Sequence, residues 1–258
     1  MVRLTFFTVF ALILFSARLM AAMPDNIPTS ERLAVALFHF HVLTPDDPLV
    51  VDEYMCLTEC DIYQKYYSND FEWRSIRSTM RKTIIEQTAA FDPTFYILGS
   101  MILGRYDFDH EAFDIDPKTS LERIGSIVLV KQDKNACGVE LANFPQSYKA
   151  KLTRSINLTE IPMDKDSARD FVSRLSKGDG ERVIYLKIGI TLLDAGRVES
   201  SYSGFDLSRP FNRNSKDVWF KTRPDHIEVY ADKALEELIY SMTFDDKPKD
   251  DGMSVIEE

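Results

Sequence analysis

The spacing of apolar residues changes along this chain at Asp92-Pro93, and helical spacing returns after it only in two short stretches. Before that point apolar side chains return every three or four residues. After it they alternate, or run in short stretches broken by glycine. A chain patterned this way points to an α+β fold with its helices first and its strands after.

In the helical part, Thr29 and Ser30 are N-cap residues for a helix over 30–43, with Leu33, Ala36, Leu37 and Phe40 on its apolar face. Thr44-Pro45-Asp46-Asp47-Pro48 breaks it. A second helix is expected over 49–67, with Val51, Met55, Ile62 and Tyr66 on one stripe and Cys56, Cys60, Tyr63 and Tyr67 beside it. Apolar on more than one side, it should lie between other elements. Ser68-Asn69-Asp70 caps a third helix reaching about residue 91, where Trp73, Ile76, Met80, Ile84 and Phe91 share a face.

The strand part begins with 94–106, in which Gly99 and Gly104 mark bends or close contacts. An acidic turn over 107–111 leads into 112–115 as the second arm of a hairpin. Further strands are expected over 124–131 and 149–161. Asp164 starts a short inserted helix with Ala168, Phe171, Val172 and Leu175, closed by Gly178. The clearest strand follows: Ile184, Leu186, Ile188, Ile190 and Leu192 occupy one face and Tyr185, Lys187, Gly189 and Thr191 the other. Residues 195–216 read as a loop, 218–221 and 226–230 as paired strands around Arg223-Pro224-Asp225, and Asp232 as the start of a short C-terminal helix carrying Leu235, Leu238, Ile239 and Met242. The fold class is therefore α+β: N-terminal helices packed on a mainly antiparallel sheet, with one inserted helix and a short C-terminal helix. One domain should span 23–244. Residues 245–258 hold six acids against two lysines and read as a disordered acidic tail.

The first 22 residues read as a cleavable signal peptide. Arg3 precedes an apolar run over 4–15 that is too short to span a bilayer, and Leu19-Met20-Ala21-Ala22 offers small residues for cleavage. Export, to a periplasm or to the medium, is the expected location. Losing Arg3 and Arg18 with the leader takes the formal charge from −10 to −12. So acidic a protein lacks the basic field that nucleic acid or anionic lipid requires, and no later apolar run is long enough for a membrane span.

An oxidising compartment makes a disulfide feasible for three cysteines. Cys56 and Cys60, one helical turn apart, suit a bridge poorly. Cys60 with Cys137 is the candidate pair, and three free buried thiols are the alternative. Arg74, Arg77 and Arg81 form a row at i, i+3 and i+7 beside the apolar stripe of the third helix. The row offers a binding site for a carboxylate, a phosphate or an acidic partner. The ordinary role of such a row is a paired solvated face, with Asp52, Glu53, Glu59 and Asp61 as natural partners.

The acidic turn Asp107-Phe108-Asp109-His110-Glu111 has neither the glycine of a calcium loop nor the helical flanks of a zinc-protease motif, and reads as a solvated turn without metal. The loop carrying Ser200 to Gly204, Arg209, Asn212, Arg213 and Asn214 lacks a nucleophile elbow. Four histidines with no mutual spacing give no triad, so no catalytic residue and no cofactor is assigned.

Leu103-Gly104-Arg105-Tyr106-Asp107-Phe108 and Glu228-Val229-Tyr230-Ala231-Asp232, together with the leader and the helices, resemble uncharacterised exported bacterial proteins carrying a domain of unknown function. That resemblance implies an envelope or secreted location and carries over no catalytic residue. The expectation is a non-catalytic exported protein that binds an envelope protein or a small anionic ligand. An enzyme of hydrolase type, or a structural component of an envelope assembly, are the alternatives.

Overall fold

The computed structural model describes residues 26–131, 135–175, 182–196 and 217–244. The leader, the 197–216 loop and the acidic tail lie outside the described residues.

Helix α1 (Ser30–His39) starts where the Thr29 side chain accepts from the Arg32 amide. Leu33 to Phe38 are buried without interruption, so α1 is the innermost helix, packed between sheet and helices. Pro48 opens α2 (Pro48–Thr58), capped by Asp47, which accepts from the Leu49 amide. The expected single helix over 49–67 is two helices, because Glu59 leaves helical geometry at φ −134° and ψ 54°. The chain restarts as α3 (Cys60–Tyr66). No glycine or proline marks this break, so periodicity alone ran through it. Asn69 caps α4 (Asp70–Ala89), which buries only Trp73 and Ile84 fully.

The strands are β1 (Thr94–Asp107), β2 (Ala112–Ile115), β3 (Leu121–Lys131), β4 (Asn135–Ala136), β5 (Val139–Glu140), β6 (Ser147–Leu158), β7 (Glu160–Pro162), β8 (Val183–Gly196), β9 (Asp217–Tyr230) and β10 (Leu238–Thr243). Helix α5 (Lys165–Leu175) is the inserted helix, seated by buried Ala168 and Phe171. The main sheet runs β3-β6-β9-β8-β1-β2-β7 with β10 also on β9, while β4 and β5 pair separately. Its pairings are antiparallel except β6 with β9. Only Thr159 separates β6 from β7, and β7 pairs with β2. One segment thus serves both ends of the strand order, which curls the sheet around a core. Ile184, Leu186, Ile188, Ile190 and Leu192 are all buried in that core, facing inward at period two.

Two expectations at the C-terminal end need correction. The strands on either side of Pro224 are one strand, β9. Its edge pairs with β6 through Thr222 and with β10 from His226, and the β8 register shifts between these positions. Pro224 sits in that gap, where no amide hydrogen is required. The expected C-terminal helix is strand β10. Asp232 accepts from the Glu236 and Glu237 amides, Leu235 takes φ 59°, and the chain turns back antiparallel onto β9. An open β9 edge offers hydrogen bonds that outweigh four apolar residues at helical spacing.

Candidate functional site

An apolar slot of about 280 Å³ opens between β1 and β3, inside the curl of the sheet. Ile97, Leu121, Ile124, Ile127, Ile156, Leu186 and Ile188 line it, with Ser100, Thr119 and Ser126 at its polar margin. Gly99 contributes by lacking a side chain. A Cβ there would meet only the Leu186 side chain, at 3.9 Å, so the glycine keeps space open rather than permitting a bend or a close contact. The volume is near the lower limit for small-molecule sites, and the lining is the apolar kind such sites use.

The backbone along this slot is unusual. Tyr96 donates its amide to the Asn26 carbonyl at 2.8 Å. Ile102 donates to Thr119 Oγ1 at 3.0 Å, and its carbonyl accepts from the Asp116 amide at 2.8 Å. These bonds fix which edge of β1 faces away from β8. By alternation, Leu98 and Ser100 present their N–H and C=O groups on that same edge. Among the described residues neither has a backbone partner there.

A second cleft, of about 630 Å³, lies where the β1–β2 hairpin tip meets α5, lined by His110, Glu111, Met163, Asp164, Ser167, Phe171 and Arg174. Its charges are matched locally. Asp107 accepts from the His110 ring at 2.7 Å and from the amides of Asp109 and His110, which holds its carboxyl at about 2. The same ring bond, then the Asp107 charge, raises the His110 pKa. Lys165 pairs with Glu111 and Arg174 with Glu237. The His110 side chain is 76 % exposed, and among the described residues no hydroxyl or thiol bonds to its ring. The acidic turn therefore borders a cleft, but as a set of solvated ion pairs. Among the described residues no three His, Cys, Asp or Glu side chains converge to hold a metal.

The arginine row is spent mostly on structure. Arg77 forms a two-point bond with Asp52, Nε and Nη2 each 2.6 Å from a carboxylate oxygen, and Trp73 Nε1 donates to the same carboxylate at 3.0 Å. Asp52 is buried in α2, so this cluster clamps α2 to α4. Arg81 pairs with Asp46, while Arg74 is exposed. Cys60 and Cys137 form a disulfide with Cα atoms 5.3 Å apart, joining α3 to the β4–β5 turn. Glu53 reinforces that attachment by accepting from the Ala142 and Asn143 amides and from Asn143 Nδ2. Cys56 remains a buried thiol whose pKa is pushed up by burial. The polar loop carrying Ser200 to Gly204, Arg209, Asn212, Arg213 and Asn214 lies outside the described residues.

Nothing in the sequence pattern singled out the slot. Its one legible trace was Gly99-Ser100 interrupting an apolar strand. Among the described residues no helix is long and apolar enough to cross a membrane.

Residues 46–174, from just before α2 to the last turn of α5, match the family model described as Domain of unknown function (DUF4852). Neither the curated proteins nor the solved structures include a match. The match covers half of the chain, including the acidic turn, the arginine row and the β1–β3 side of the slot, and the chain belongs to that family.

Proposed function

We propose that this DUF4852-family protein is exported after removal of residues 1–22 and acts as a binding protein without catalysis of its own, its ligand site being the slot between β1 and β3. The observation that carries the reading is the open apolar slot beside the backbone of Leu98 and Ser100, which has no partner on that edge among the described residues. The alternative sites support a ligand less well: in the hairpin cleft His110, Glu111 and Arg174 are ion-paired and Asp164 accepts from the Asp166 and Ser167 amides, and Arg77 is held by a buried carboxylate. Export rests on the leader and fits the Cys60–Cys137 disulfide, which an oxidising compartment maintains.

The test is a thermal-shift series with octanoate, indole and hydrophobic dipeptides, run on the protein and on Gly99→Leu. The substitution fills the slot from a position where a side chain has room. A ligand at about 100 times its Kd adds roughly 2.7 kcal/mol, which raises Tm by about 5–10 °C for a domain of this size. A shift seen in the parent and abolished in Gly99→Leu supports the reading. A shift that survives in Gly99→Leu places the ligand elsewhere. Export is checked by fractionating producing cells and sequencing the N-terminus of the recovered protein.

A further inference from the structure

We propose that the occupant of the slot is an extended cationic peptide segment that adds as a strand to the open edge of β1 at Leu98 and Ser100, an inference that rests on the slot being a ligand site. A strand edge left with free N–H and C=O groups is a template for another chain, and folded proteins usually blunt such edges with charges, bulges, proline or a covering loop. The two edges bordering this slot differ in that respect. On β3, Glu122 and Arg123 form a bulge, Arg123 sits at φ 53°, and the register shifts at three places. On β1, Asn26 closes one end and Thr119 with Asp116 closes the other. Between them, residues 97–101 carry no charge, no proline and no register shift against β8. Among the described residues this edge of β1 is left without a partner only over the slot.

A strand laid there would pair its backbone with Leu98 and Ser100 and send alternate side chains into the apolar lining, the recognition mode of strand addition. Charge selects among occupants. Without its leader the protein carries a formal net charge of −12, so a second copy would be repelled by its own net charge, whereas a cationic segment is attracted to the molecule as a whole.

The probe is a fluorescein-labelled heptapeptide, Lys-Val-Thr-Ile-Thr-Val-Lys, followed by fluorescence anisotropy. Two N-methylated forms carry the methyl groups on alternate residues, so that only one form blocks the amides facing β1. The expected result is binding that weakens at least tenfold with one form and changes little with the other, since each lost backbone bond with a stranded partner is worth about tenfold. Leu98→Pro removes a donor on the open edge without touching the bonds to β8, and should weaken the peptide about tenfold. Because Leu98 also lines the slot, Leu98→Ala, which keeps the amide, is the control for the lost side chain and should weaken the peptide far less. Equal affinities for the two methylated forms overturn strand addition, as does an unchanged affinity in Leu98→Pro. If small apolar ligands still shift the protein in that case, the ligand-site reading survives and only the strand mode falls. A dimer in sedimentation velocity that dissociates on Leu98→Pro substitution would put a second copy on the edge and overturn the peptide assignment.

Discussion

The central strands and the outer helices of this protein are held by different physics. Strands β8 and β9 bury Ile184, Leu186, Ile188, Ile190, Val218, Phe220, Ile227 and Val229, and their attachment comes from apolar area shared over many neighbours. Helix α3 has no fully buried side chain and α4 has two. Their position depends on a few discrete ties: Asp52 of α2 with Arg77 and Trp73 of α4, and the Cys60–Cys137 disulfide of α3. Distributed burial resists any single change in proportion to the volume removed. A discrete tie fails all at once, but locally. The outer helices should therefore separate from the sheet in experiments that leave the sheet folded.

The largest effect tests the sheet. Phe220→Ala leaves a cavity at a fully buried position and should lower global stability by about 4 kcal/mol. Urea denaturation read at several wavelengths should show one coincident loss for helices and strands. If only the helical signal moved, β9 would not be the shared core.

Removing the disulfide with Cys60→Ser and Cys137→Ser comes next, at about 3 kcal/mol, within the usual range for a bridge and below the about 4.5 kcal/mol that ideal loop closure gives for residues 77 apart. Amides of β8 and β9, which exchange through global unfolding, should lose protection by about that amount, whereas α3 and the β4–β5 turn should exchange by a local opening well below the global step. Equal protection in α3 and in β8 and β9 would erase the contrast between the two regions.

Asp52→Ala leaves the Trp73 and Arg77 donors without their shared acceptor. Since Arg77 is one-third exposed and water can replace part of the bond, about 2 kcal/mol is expected, below the full cost of breaking a buried pair. Tryptophan fluorescence should report opening of α4 before the global transition. A single coincident transition would mean that the clamp belongs to the core.

The smallest effect comes from a polar tie in open water, Asp107 with His110. Asp107 titrates at about 2, below the usual carboxylate value, so its contribution is present above ~4 and is lost as pH falls through about 2. His110 is raised, so its contribution is present below ~6.5 and is lost as pH rises past the raised value. The pair is intact between those limits. An NMR titration should return His110 to its ordinary pKa in Asp107→Asn, with no detectable change in unfolding. A measurable fall in Tm would show the hairpin tip to be more tightly coupled to the fold than its exposure implies.

Strand β8, the helix α4 cap and the β1–β2 hairpin were legible in the sequence because each depends on neighbours a few residues away. Ile184 to Leu192 alternate over one strand, Asn69 precedes its own helix, and Asp107 bonds to amides two and three residues on. The helix break at Glu59 and the strand at 238–243 were not legible. There the local pattern allows two conformations, and the choice lies with Cys137 and the β9 edge, both distant in sequence.

What the sequence determined by itself was the α+β class, through the change of apolar period at Asp92-Pro93, and the acidic net charge. Tertiary structure alone decided the candidate site. The slot requires β1, β3, β6 and β8 to meet around Gly99, and among the described residues Asn26, Thr119 and Asp116 satisfy the groups on either side of Leu98 and Ser100 while none pairs with those two on that edge. Side-chain periodicity records which residues leave water; it carries no information about which backbone groups are left without a partner once the sheet has closed.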